Sequence, residues 1–185
     1  MVVTAPRIEL HTESPTATRG VAAALATQCR VGDVVLLIGD LGAGKTTFAQ
    51  GFGKALGVVE PIVSPTFTLV RQYALPEVAR PDDAASAGRH TRVRQFVHAD
   101  LYRLSHQHEV ADLGIGELVE QGVAVVEWGE AAEPVLGDDW LRIDLGFEAN
   151  GAETGRTIRV TPHGGSWPER WAAVETALRP WRYRR

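Results

Sequence analysis

The chain has 185 residues, 44% of them apolar and 23% charged, with a formal net charge of −4. That balance excludes a disordered polymer, and the acidity weighs against a protein that coats nucleic acid across a broad basic surface. A lone cysteine, Cys29, excludes a disulfide framework and a cysteine-rich zinc site. In its helical surroundings a buried, unreactive thiol is expected.

The elements follow in chain order. The first ten residues lack a basic start followed by an apolar stretch, so no signal peptide is expected and a cytoplasmic protein is. Ser14 at the N-cap and Pro15 at the first position open a helix predicted over residues 14–29. Val34–Ile38 is an unbroken aliphatic run, far too short for a bilayer and typical of a strand buried on both faces. A helix over 46–56 follows, closed by Gly57.

Residues 68–73 and 93–99 read as strands, joined by a Pro/Ala/Asp-rich loop over 75–90. A further buried strand covers 123–127. Residues 141–147 and 157–161 alternate and flank a polar, glycine-containing stretch, the pattern of a hairpin. The last helix is predicted over 166–178, from a capping box of Ser166 and Glu169. Short aliphatic runs alternating with helices define an α/β fold with a largely parallel central sheet flanked by helices and a C-terminal antiparallel hairpin. The expected division is a core domain over 1–162, with 163–185 as a helix and Arg-rich tail extending it.

The strongest motif is Gly39-Asp40-Leu41-Gly42-Ala43-Gly44-Lys45-Thr46, a full match to G-x-x-x-x-G-K-[ST] between a strand and a helix. Its glycines let successive N–H groups turn inward onto phosphate oxygens, and the following helix adds its positive end. Lys45, one of only two lysines, supplies a point charge for the β- and γ-phosphates, and the Thr46 hydroxyl is the expected Mg²⁺ ligand. The reading is a P-loop NTPase fold that binds ATP or ADP with Mg²⁺. The Asn/Thr-Lys-x-Asp motif that reads guanine is missing, which disfavours GTP.

Such a loop needs an acidic partner at the end of a neighbouring strand, where ligands bind in open α/β sheets. Glu127 and Asp100 both fit, and either could orient an attacking water. Ser64-Pro65-Thr66-Phe67 places hydroxyls where a γ-phosphate or its metal would touch them, with Thr66 the candidate contact.

Four motifs in order, Gly-Asp-Leu-Gly-Ala-Gly-Lys-Thr-Thr (39–47), Ser-Pro-Thr-Phe (64–67), His-x-Asp-Leu-Tyr-Arg (98–103) and Val-Glu-Trp (126–128), make the chain resemble the bacterial TsaE family over roughly residues 8–162. The resemblance implies a Mg²⁺-dependent ATPase. Its expected partners are TsaB and TsaD, which place threonylcarbamoyl on N6 of adenosine 37 in tRNAs reading ANN codons. It implies tRNA contact only through that complex, and neither DNA nor a membrane is an expected partner. It also implies magnesium held by Thr46 and Glu127, an activity that needs Asp100, and a nucleotide touched by residues 39–47 and flanked by Trp128.

Lesser candidates are read from local chemistry. His106 and His108 have a metal-site spacing but more simply form a solvated loop. Arg103 has the character of an arginine finger or a salt-bridge partner, and Arg156 is a candidate nucleotide contact. Arg179, Arg182, Arg184 and Arg185 crowd the end of the chain beside Trp181 and Tyr183. Stacking on RNA or a partner is one reading of that tail, and a frayed, solvated end is the other.

Overall fold

Val34–Ile38 forms strand β2, and its five residues are all buried because they serve two cores. Side chains of a strand alternate between faces. Val35 and Leu37 therefore join one cluster, and Val34, Leu36 and Ile38 join the other. β2 pairs in parallel with β5 (Gly122–Glu127) and with β6 (Trp140–Phe147), and β5 pairs in parallel with β4 (Gln95–Asp100). These four strands are the parallel centre of a sheet ordered β1 (Ile8–Thr12), β7 (Arg156–His163), β6, β2, β5, β4, β3 (Val70–Ala74).

The outer strands are antiparallel: β3 (Val70–Ala74) on β4, β7 (Arg156–His163) on β6, and β1 (Ile8–Thr12) on β7. The computed structural model describes residues 6–76, 93–104, 106–148 and 154–183. Most of the predicted 75–90 loop lies outside that set.

Helices α1 (Pro15–Ala26), α2 (Lys45–Leu56) and α5 (Trp171–Leu178) cover one face, through Val21, Leu25, Phe48, Phe52, Val174 and Leu178. The other face carries the short helices α3 (Gln107–Ala111) and α4 (Ile115–Leu118), which contribute Val110 and Ile115. No helix among the described residues is long and apolar enough to cross a membrane.

The α/β class, the parallel centre and the β6–β7 hairpin match the sequence reading, whereas several boundaries move. β1 and the helices α3 and α4 have no predicted counterpart. α1 ends at Ala26 rather than residue 29, because the chain tightens there into i→i+3 turns (Gln28 N to Leu25 O, 2.9 Å). Half-buried Cys29 lies in this stretch, where burial and then Asp33 push its thiol well above the ordinary cysteine value. That keeps it protonated and inert.

The capping box at Ser166 does not form. Its hydroxyl receives a bond from the Arg170 guanidinium at 3.1 Å, residues Pro168–Arg170 make a 3₁₀ turn, and α5 begins only at Trp171. The end of the chain is not frayed over 179–183 either. Trp181 covers Gly20 of α1, and Arg182 bridges to Leu10 on the outer edge of β1.

Candidate functional site

β2 ends at Ile38 and the chain turns at once into the loop 39–44, which hands over to α2 at Lys45. Gly42 and Gly44 hold φ of 79° and 108°, which only glycine adopts without cost. Gly39 is dictated by space as well, since a β-carbon there would strike the Leu145 carbonyl. Beside the loop, parallel pairing sets Asp100 at the end of β4 directly opposite Glu127 at the end of β5. The loop, Lys45, Thr46, Thr47, Ser64, Thr66, Asp100, Tyr102, Glu127 and Trp128 enclose a cleft of about 390 Å³.

Two polar clusters meet in this cleft. In the first, Thr46 Oγ1 lies 2.9 and 3.0 Å from the two Glu127 carboxylate oxygens, whose Oε1 also accepts from Nε2 of fully buried His98 at 2.9 Å. In the second, Asp100 Oδ2 accepts from Ser64 Oγ at 2.7 Å and Thr66 Oγ1 at 2.6 Å, while Oδ1 accepts from the Tyr102 N–H at 3.1 Å. Thr66 thus faces Asp100, and the 64–67 segment is tied to the end of β4.

Lys45 Nζ donates to the carbonyls of Gly39 at 2.5 Å and Asp40 at 2.9 Å, and sits 3.7 Å from the centre of the Trp128 ring. Burial pushes its pKa down, against the opposing pull of Glu127, Glu130, Asp100 and Asp40. Trp128 holds this place in a left-handed conformation (φ 59°) and packs on Tyr102 with ring centroids 4.9 Å apart.

Around Thr46 and Glu127 the donors are hydroxyl and carboxylate oxygens. These hard donors suit Mg²⁺, which takes one or two carboxylates and completes its shell with water and substrate phosphates. The residues therefore fit a magnesium nucleotide.

Among the lesser candidates, Arg103 lies over the exposed ring of Phe67 at 4.3 Å. His106 and His108 pack on each other at 5.4 Å, and among the described residues no three metal-ligating side chains gather. Arg156 bonds to two carbonyls of the phosphate loop. His98 and Tyr102 carried no role in the sequence reading. Both lie inside the His-x-Asp-Leu-Tyr-Arg motif, which was their one available signal.

A sheet with a parallel centre, whose β2 runs through a glycine-rich loop into a helix, with carboxylates at the neighbouring strand ends, defines a P-loop NTPase-type nucleotide-binding protein. The family described as threonylcarbamoyl adenosine biosynthesis protein TsaE matches residues 12–158. The chain belongs to the TsaE family.

It is 36% identical to the tRNA threonylcarbamoyladenosine biosynthesis protein TsaE of Bacillus subtilis (strain 168) over 138 residues, 74% of this chain and 76% of that protein. It is also 36% identical over 156 residues to the protein of the same name from Streptomyces coelicolor, covering 83% of this chain and 93% of the relative. The crystal structure of B. subtilis YdiB is similar with a TM-score of 0.70 and 27% identity, covering 96% of this chain and 97% of that one.

Proposed function

We propose that this protein binds and hydrolyses ATP with Mg²⁺. Through that cycle it supports formation of threonylcarbamoyladenosine at position 37 of tRNAs reading ANN codons, together with TsaB and TsaD. The observation that carries the enzymatic part is the contact of the Thr46 hydroxyl with both oxygens of Glu127, at the mouth of a complete phosphate loop. Membership of the TsaE family carries the pathway. The tRNA is reached through the partners, so an acidic protein suffices.

In this reading residues 39–47 wrap the phosphates with backbone N–H groups. Lys45 leaves the two carbonyls that now hold it and pairs with the β- and γ-phosphate oxygens. Thr46 and Glu127 would hold magnesium, which would supply positive charge against that developing on the phosphates. His98 fixes one Glu127 oxygen from behind, and Trp128 flanks the nucleotide. Asp100, with the Ser64 and Thr66 hydroxyls gathered on it, stands beside Glu127 on the neighbouring strand and orients the attacking water.

Two variants and one pull-down test the proposal. Lys45→Ala is expected to lose ATP binding by calorimetry and to lower cellular threonylcarbamoyladenosine. Glu127→Gln is expected to keep nucleotide binding and lose roughly 100-fold or more in phosphate release, the scale of removing a preorganised electrostatic group. If Glu127→Gln still supports the modification in cells, nucleotide binding alone is the function. A pull-down from extract with and without ATP is expected to recover TsaB and TsaD.

A further inference from the structure

Arg156 begins β7 and does not line the cleft that holds Lys45 and the carboxylates. Its Nε donates to the Ala43 carbonyl at 3.1 Å and its Nη2 donates to the Gly42 carbonyl at 3.1 Å. Nη1 donates to the carbonyl of its neighbour Gly155 at 2.8 Å, and the guanidinium plane lies 4.5 Å from the Phe147 ring centre. The fork is therefore held by its own strand and by the facing end of β6, and it meets two consecutive carbonyls of the loop.

A trans peptide is planar, so its C=O and the following N–H point in opposite directions. Drawing the Gly42 and Ala43 carbonyls towards β7 turns the N–H groups of Ala43 and Gly44 the other way. The Ala43 N–H closes the loop onto the Asp40 carbonyl at 3.1 Å. By the same planarity the Gly44 N–H faces away from β7, and Gly44 itself lines the cleft.

Left alone, a loop whose glycines hold φ of 79° and 108° has several conformations open to it. Every one that turns a carbonyl into the cleft repels phosphate. We infer that Arg156 is a positioning residue that braces the phosphate loop from outside, holding the Gly42 and Ala43 carbonyls away from the cleft and leaving the Gly44 N–H for the phosphate, before any nucleotide arrives.

The inference rests on the nucleotide reading above and adds to it a residue that acts through the Gly42 and Ala43 carbonyls. A planar fork is required, because its N–H bonds have fixed directions, whereas an ammonium such as Lys45 on the Gly39 and Asp40 carbonyls can rotate about its stem and leaves the peptide planes free. The brace acts on the phosphate cradle and not on the base, so it contributes alike to any polyphosphate.

The test measures affinity of the full chain for ATP, ADP and inorganic tripolyphosphate by calorimetry, in wild type, Arg156→Gln and Arg156→Lys. The expected result is a loss of about tenfold for all three ligands in both variants, the scale of losing charge-assisted hydrogen bonds. The rate of phosphate release at saturating ATP should stay within about twofold, since the brace sets the binding-competent loop and not the reacting atoms.

Unchanged affinities overturn the inference. So does loss confined to ATP and ADP with tripolyphosphate unaffected, which makes Arg156 a base or sugar contact. Wild-type affinity in Arg156→Lys also overturns it, because charge alone then suffices. Phe147→Leu, which removes the ring under the guanidinium, is the second variant should the first pair fold poorly. A smaller loss, equal for the three ligands, is expected there, and no loss counts against the brace. If the wild-type chain binds none of the three, the nucleotide reading itself fails, an outcome separate from a bound wild type with unaffected variants.

Discussion

Lys45 meets two carbonyls, an indole face and several carboxylates, yet its pKa still falls below the ordinary lysine value of 10.5 because burial outweighs them. The cost of burying that charge is borne in full wherever Lys45 is protonated in both folded and unfolded chains. As pH rises through the lowered folded value towards 10.5, the folded side chain releases its proton first and the cost disappears. Wild type should therefore gain stability relative to Lys45→Met as pH rises towards 10.5, as urea titrations at several pH values would detect. An unchanging gap would mean that the ammonium is not destabilised by its site.

His98 is the complementary case, a buried ring whose Nε2–H donates to Glu127. His98→Ala should lower unfolding free energy by about 1–3 kcal/mol, since the buried Glu127 Oε1 loses one of its two donors and keeps only Thr46. Chemical denaturation measures it. Neither effect was legible beforehand. Residue types named Lys45 and Glu127, but the His98–Glu127 contact spans two strands 29 positions apart and exists only in the observed register.

At the scale of elements, the α1–α2 contact depends on a small residue. A β-carbon on Gly51 would come within 2.5 Å of the Arg19 backbone, so the two helices cross with no side chain between them. Gly51→Val should destabilise the fold by about 1–3 kcal/mol through overpacking, with the helices forced apart. Because α2 begins at Lys45, weaker ATP binding is expected alongside the lowered urea midpoint.

Helix α2 and strands β2 and β5 were readable because each carries a strong local signal: an aliphatic run, a glycine cap, a glycine-rich loop. α3 and α4 were not. They have 5 and 4 residues, too few to show a helical period, and they exist because Val110 and Ile115 fill the second core. Strand β1 escaped notice for a related reason. Its Ile8 and Leu10 alternate with Glu9 and His11 over five residues, a weak pattern that pairing with β7 stabilises.

Across the whole molecule, the C-terminal segment is tied to the end of the sheet opposite the cleft. Arg170 lies over the Trp167 ring and donates to both oxygens of Asp33 at 2.6 Å, just before β2 begins. Both side chains are buried, so removing one leaves an uncompensated charge. Arg170→Ala should cost about 3–5 kcal/mol of stability by denaturant titration. ATP affinity should be unchanged, because the pair stands at the start of β2 and the phosphate loop at its end.

Deleting residues 179–185 is expected to lower the melting temperature by removing Trp181 from α1, again without loss of nucleotide binding. The sequence offered a helix cap and a charged tail here. Tertiary contact redirected both, since the Ser166 hydroxyl is taken by Arg170 and Arg182 completes the edge of β1.

The sequence by itself determined the class and the reagents: an α/β chain with a phosphate loop, one placed lysine, a threonine beside it and carboxylates at two strand ends. These are local matters, set by runs, caps and spacings of a few residues. Only the tertiary structure decided which groups meet. Parallel register set Asp100 opposite Glu127, burial put His98 behind one carboxylate, and the hairpin returned Arg156 to the outside of a loop more than a hundred residues earlier in the chain. The net charge of −4 proved a poor guide to any of this, because the cations that matter act singly and by position.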